Sequence, residues 1–135
     1  MKAVADTNVL VSAFNFPGGP PEDVYRLALD GRVHLITSAP LLAEFARILT
    51  DRFGWEPGRA EEAVAHVARI ATVVEPAERV AVVAADPADD RVLEAAFEAA
   101  ADVIVSGDKH LLRIGEWRGI RIVSPAEFLA GLKLG

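Results

Sequence analysis

The pattern that most constrains this chain is an alternation of short apolar runs with helical segments. Lys2 to Ala5 reads as a buried strand that stops at Asp6, and Val9, Leu10, Val11, Ala13 and Phe14 fit a packed helix just after it. Phe16-Pro17-Gly18-Gly19-Pro20-Pro21 is a loop, followed by a helix with Val24, Leu27 and Ala28 on one face. Val33 to Thr37 is a second strand. Ser38 is a good N-cap for a helix whose apolar residues Leu41, Leu42, Phe45, Ile48 and Leu49 share one stripe. Pro57 and Gly58 open another amphipathic helix through Ile70, with Ala60, Ala63, Val64 and Val67 inward, and Thr72 to Val74 form a short strand.

A charged connection then leads to Asp86-Pro87-Ala88-Asp89, where a capping aspartate, a proline at the first helical position and a carboxylate at the third mark a helix start. That helix runs to about Ala101. Val103 to Val105 is a continuous apolar strand ended by Ser106-Gly107-Asp108, and Ile120 to Val123 is another before the helix capped by Ser124-Pro125-Ala126-Glu127. Strands alternating with helices imply right-handed crossovers, hence an α/β chain built as a three-layer α/β/α sandwich with a mostly parallel central sheet. No repeat or break in composition divides residues 1–135, so one domain is expected.

Composition narrows the function. The chain has no cysteine, which removes disulfides, zinc–thiolate sites and cysteine nucleophiles, so any metal must be held by oxygen or imidazole. His34, His66 and His110 have no zinc-like spacing. No apolar stretch approaches the roughly 18 residues that span a bilayer, and Asp6 interrupts the run a secretory signal needs, so no membrane association and a cytoplasmic location are expected. A net charge of −6 argues against binding nucleic acid through a broad basic face. Gly18-Gly19 lacks the lysine and spacing of a phosphate-binding loop, and Trp55 and Trp117 read as packing residues.

In open α/β sheets ligands bind outside the carboxyl ends of the strands, where Asp6 and Asp108 both stand. Asp89 and Asp90 open a helix that can point to the same edge, and Glu44 lies at the border of its helix's apolar stripe. Carboxylates crowded together raise one another's pKa and are tolerated near neutral pH when a cation sits among them; oxygen ligands favour magnesium or manganese. Each residue also has a plainer reading. Asp86 is an N-cap and is not counted as a ligand; Asp89 could complete that cap; Asp6 and Asp108 could be turn formers; Glu44, Asp90 and Glu94 could be solvated.

Asp6-Thr7-Asn8 after the first strand, Glu44 in the Leu41 to Leu49 helix, Asp86-Pro87-Ala88-Asp89-Asp90 with Glu94, and Ser106-Gly107-Asp108-Lys109 together resemble PIN-domain proteins. Many such proteins are the toxin half of bacterial and archaeal toxin–antitoxin pairs. The resemblance covers nearly the whole chain. It implies a ribonuclease that binds magnesium or manganese through Asp6, Glu44, Asp89 or Asp90, and Asp108, with Asp89 favoured, and that hydrolyses RNA phosphodiester bonds. It also implies that Thr7 or Asn8, and Ser106, orient those carboxylates, that Lys109, Arg47 or Arg113 holds a flanking phosphate, and that a cognate antitoxin and a homodimer are the protein partners. Two positions depart from related sequences, which often carry Asn at Asp90 and a second aspartate at His110. Competing readings are an inactive PIN-like scaffold for RNA or protein, a small-molecule phosphatase with Asp6 as nucleophile, and a phosphorylation receiver domain. The last two expect a second acid near Asp6, where Asn8 stands.

Overall fold

The computed structural model describes residues 1–134, with side chains through Leu132; Gly135, the last residue of the expected domain, lies outside the described residues. β1 (Lys2–Ala5) leads through Asp6 into α1 (Thr7–Asn15) and α2 (Pro20–Leu29). There follow β2 (His34–Ser38), α3 (Ala39–Asp51), α4 (Pro57–Ile70) and β3 (Thr72–Val74). After a long connection come α5 (Pro87–Glu98), β4 (Val103–Val105), α6 (Lys109–Ile114), β5 (Glu116–Trp117), β6 (Ile120–Val123) and α7 (Pro125–Leu134).

The strands lie in the order β3-β2-β1-β4-β6-β5, all parallel except the pairing of β5 with β6. Alternate side chains feed two cores, as period-two geometry requires. Ala3, Ala5, Leu35, Val103 and Val105 pack with Leu10, Phe45, Leu49, Val67 and Phe128 of α1, α3, α4 and α7. Val4, Ile36, Ile104 and Ile122 pack with Val92, Leu93, Ala96 and Leu111 of α5 and α6. Helices on both faces of a mostly parallel sheet make the three-layer α/β/α arrangement. Among the described residues no helix is long and apolar enough to cross a membrane.

Strand order fixes where a site can form. From β1 the chain builds outward to β2 and β3 on one side, whereas β4 and β6 occupy the other, so the order reverses between β1 and β4. Asp6 and Ser106 follow these two strands, and the Asp6 N–H donates to the Val105 carbonyl at 2.9 Å, locking the two ends together.

The helix starts follow their sequence cues unevenly. Ser124 and Glu127 exchange hydrogen bonds reciprocally, at 3.1 and 3.2 Å, as a capping box does. Ser38 occupies the N-cap position of α3, but its hydroxyl is buried and makes no cap bond. α6 and β5 have no counterpart in the sequence reading. The β5–β6 hairpin turns on Arg118 and Gly119, with φ of 50° and 81°, the positive pair a two-residue type I′ turn demands. Arginine is an unusual residue there. Its guanidinium lies 4.5 Å from the Phe97 ring centre and 4.4 Å from that of Trp117, and it pairs with Glu78, contacts that hold the left-handed conformation.

The connection over residues 75–85 is strapped along α5. Asp90, Glu94 and Glu98 recur every four residues and so share one helical face. Glu98 accepts from the Ala77 N–H at 2.8 Å, Glu94 from Val80 at 2.8 Å, and Asp90 from Val82 and Val83 at 3.0 and 2.9 Å. The strap thus finds acceptors for its backbone N–H groups on a helix rather than on a strand.

Candidate active site

Asp6 ends β1 and precedes α1, so the strand delivers its carboxylate to the rim where the sheet order reverses. The side chain is buried, and Oδ2 accepts a 2.7 Å hydrogen bond from the Ser106 hydroxyl at the end of β4. Ser106 Oγ in turn accepts from the Asp108 N–H at 2.9 Å, so one hydroxyl ties two of the acidic residues together. Burial pushes the Asp6 carboxyl up to about 6 against the lowering effect of the Ser106 bond, and the negative charges of Asp108 and Glu44 add to the rise.

Asp108 is the N-cap of α6; its Oδ1 accepts from the N–H groups of His110 and Leu111 at 2.7 and 3.3 Å. Asp89 sits at the third position of α5. In a capping box its carboxylate would accept from the N–H of Asp86, but that N–H donates to the Val83 carbonyl, and Asp89 Oδ2 is buried without any hydrogen-bond partner. The reciprocal bond of a capping box is therefore absent at Asp89, although its place in the first turn of α5 still sets a carboxylate at the positive end of the helix. Burial, then the charges of Asp108, Asp6 and Asp86, push its carboxyl up to about 8.

Asp86 caps α5 as the sequence predicts, accepting from the Ala88 N–H at 3.1 Å. It also belongs to the cluster, a correction to its reading as a cap alone. One oxygen from each of Asp86, Asp89 and Asp108 lies within 4.8 Å of the others. The signal was available: Asp86 and Asp89 are three positions apart, which puts both on one side of the helix start.

The remaining predicted residues divide. Glu44 is half-buried on α3, and its charge adds to the rise at Asp6. Asp90 and Glu94 are also buried, but their acceptor oxygens serve the strap, and Glu94 further pairs with Arg91 at 2.8 Å. Neither contributes to the shifts of Asp6 or Asp89. Thr7 touches Asp6 through its backbone N–H, whereas its hydroxyl is buried and unpartnered. Asn8 is exposed and makes no side-chain hydrogen bond among the described residues, so it does not orient a carboxylate. Lys109, Arg47 and Arg113 are exposed.

A cation suits this arrangement on two grounds. Oxygens bound to one magnesium or manganese ion at about 2.1 Å lie about 3 Å apart when adjacent and about 4.2 Å apart when opposite, and the Asp86–Asp89–Asp108 oxygens already lie within 4.8 Å of one another. The buried, partnerless Asp89 Oδ2 is the acceptor such an ion would satisfy, and a positive charge would remove the repulsion that raises Asp6 and Asp89. The orphaned hydroxyls of Thr7, Thr37 and Ser38 lie on this same rim, at the ends of β1 and β2.

The sequence matches the PIN domain over residues 2–110. Among solved structures, VapBC2 from Rickettsia felis, bound to a DNA fragment from their promoter, is similar with a TM-score of 0.64 and 13% identity; the alignment covers 90% of this chain and 97% of that one. At that identity the likeness is one of fold. No curated protein matches the chain in sequence. A sequence match over this much of the chain, on a sheet whose order reverses beside Asp6, establishes that the chain belongs to the PIN-domain family.

Proposed function

We propose that the chain is a divalent-metal-dependent endoribonuclease, the toxin of a toxin–antitoxin pair that works in the cytoplasm. The observation that carries this reading is the meeting of Asp86, Asp89 and Asp108 around a buried carboxylate oxygen with no partner, with Asp6 tied to Asp108 through the Ser106 hydroxyl. PIN-domain membership supports a nuclease, and the likeness to VapBC2 supports a cognate antitoxin.

Magnesium or manganese held by Asp86, Asp89 and Asp108 together with Asp6, with Glu44 beside them, would supply the positive charge that lets an RNA phosphate approach and that eases loss of a proton from the attacking water. The chain's own groups do the positioning. Ser106 fixes Asp6 and the backbone of Asp108 in one relay, so the two carboxylates keep their spacing. Backbone N–H groups hold Asp108 Oδ1, leaving its second oxygen to the cluster. Lys109, the next residue, is exposed, which supports a role in holding a neighbouring phosphate. The antitoxin is expected to lay an arm over the crevice and bring an arginine or lysine to the carboxylates.

The test is cleavage of single-stranded RNA by purified protein with manganese or magnesium, with chelator and Asp6→Asn as controls. Cleavage that needs the ion and Asp6 is expected. No cleavage under any condition, or cleavage indifferent to both controls, would reject the reading.

A further inference from the structure

Asp86, Asp89 and Asp108 each offer an oxygen to one point, but they are held unequally. Asp89 is fixed within the first turn of α5, and Asp108 is fixed by Ser106 and by the N–H groups of its own helix start. Asp86 is only half-buried and precedes the helix, and it stands close enough to Asp89 for the two charges to repel. Left to itself, its carboxylate would swing toward solvent.

We propose that Asp90 is a positioning residue that keeps Asp86 in the cluster by gripping the chain that leads into it. The inference rests on the reading of Asp86, Asp89 and Asp108 as ligands of a divalent ion.

The link is an unbroken path of hydrogen bonds. Asp90 Oδ1 accepts from two successive N–H groups, those of Val82 at 3.0 Å and Val83 at 2.9 Å. Two donors on one oxygen set the direction of the chain as well as its position. The Val83 carbonyl then accepts from the Asp86 N–H at 3.2 Å, closing a turn over the exposed Ala84 and Ala85. On its other side Asp86 is bound into the helix, its carbonyl accepting from the Asp89 N–H at 3.0 Å. The backbone of Asp86 is therefore held from both directions, and one of the two holds runs through Asp90.

Burial makes that hold matter. Val83 is 6% exposed, so its N–H has no water to turn to when Asp90 is withdrawn. The strap must then move outward to hydrate the group, and the turn carries Asp86 away with it. Glu94 and Glu98 make bonds just as short, 2.8 Å each, but to Val80 and Ala77, further back along the strap. One row of acids on α5 thus divides by position: Asp90 is coupled to the ion site, and the other two only to the fold.

The experiment titrates metal-free protein with manganese and follows the free ion by its electron paramagnetic resonance signal, which gives Kd without reference to RNA. Asp90→Ala is expected to raise Kd about ten-fold or more, the usual effect of losing a partner behind a ligand. Asp90→Asn keeps an accepting oxygen and should stay within about two-fold of wild type. Glu94→Ala strips the same strap of its bond at Val80; it should lower the melting temperature and leave Kd within about two-fold. In Asp86→Ala protein, adding Asp90→Ala should raise Kd no further, because the residue it positions is gone. Should Asp90→Ala fail to fold, Ala84→Gly with Ala85→Gly takes its place. That pair slackens the turn without touching an acid and should raise Kd about three-fold. A Kd unmoved by these changes, an equal rise in Glu94→Ala, or the full rise persisting in Asp86→Ala would overturn the positioning role. Wild-type protein that binds manganese but cleaves no RNA would overturn the ribonuclease reading alone, and protein that binds no manganese would overturn both.

Discussion

The start and the flank of α5 carry the same kind of residue to opposite ends. Asp86 and Asp89 face two further aspartates with few donors between them, and one of their oxygens is left bare. Asp90, Glu94 and Glu98, on the adjoining face, are each answered by a backbone N–H of the strap, and Glu94 by Arg91 as well. Asp89 and Asp90 are neighbours in sequence and equally buried, at 4% exposure each. Burial and charge therefore do not separate a ligand candidate from a structural acid. What separates them is the supply of donors: a carboxylate with its hydrogen bonds filled stabilises the fold, and one without them destabilises it until something positive arrives.

The largest effect should come from exchanging amide for acid on the two sides. Asp89→Asn is expected to lower RNA cleavage by at least about a hundred-fold, as loss of a ligand does, yet to raise the melting temperature of the metal-free protein by removing a repelled charge. Asp90→Asn keeps an oxygen that can accept from Val82 and Val83, so cleavage should stay within a few-fold of wild type. Equal losses in the two variants would erase the distinction.

Glu94→Ala sharpens the other side. It leaves the part-buried Val80 N–H without its acceptor and Arg91 without its partner, which costs about 1–2 kcal/mol in a denaturant unfolding titration. Cleavage per folded molecule should be unchanged.

Titration gives a third, smaller test. In the unfolded chain Asp6 and Asp89 ionise at their ordinary values, near 3.8, but in the folded one they hold protons up to about 6 and about 8. The ion-free fold then carries no penalty below about pH 4 and loses stability as pH rises through those two values. Added magnesium or manganese should raise the melting temperature more at pH 8 than at pH 5. An equal gain at both would mean that the ion does not bind among these groups. Glu78→Gln, which breaks the exposed pair with Arg118, should leave the melting temperature nearly where it was, because solvent screens that contact.

Much of the fold was legible because local patterns and tertiary packing agree. The apolar runs at Lys2–Ala5, Thr72–Val74, Val103–Val105 and Ile120–Val123, and the proline-led helices at Pro57, Pro87 and Pro125, stand where sequence analysis expects them. α6 and β5 were missed for a reason. Six and two residues are too short for a periodic signal, and the turn between β5 and β6 uses Arg118, which no turn preference would nominate.

Within the site, sequence order alone brought forward Asp6, Glu44, Asp89 and Asp108, because a residue just past a buried strand or at a helix border can face only a few directions. It favoured Asp89 over Asp90 only by resemblance, overlooked the spacing that puts Asp86 beside Asp89, and could not release Asn8 from the task of orienting a carboxylate. The difference between Asp89 and Asp90 depends on which N–H groups of residues 77–83 come within hydrogen-bonding distance of α5, and that pairing exists only after the strap has closed over the helix. The chain's own pattern settles the elements, their alternation and the stock of acids. Which acids are satisfied and which are left to bind is settled by contacts between distant segments, because a hydrogen bond needs its partner within about 3 Å and no run of residues encodes that distance.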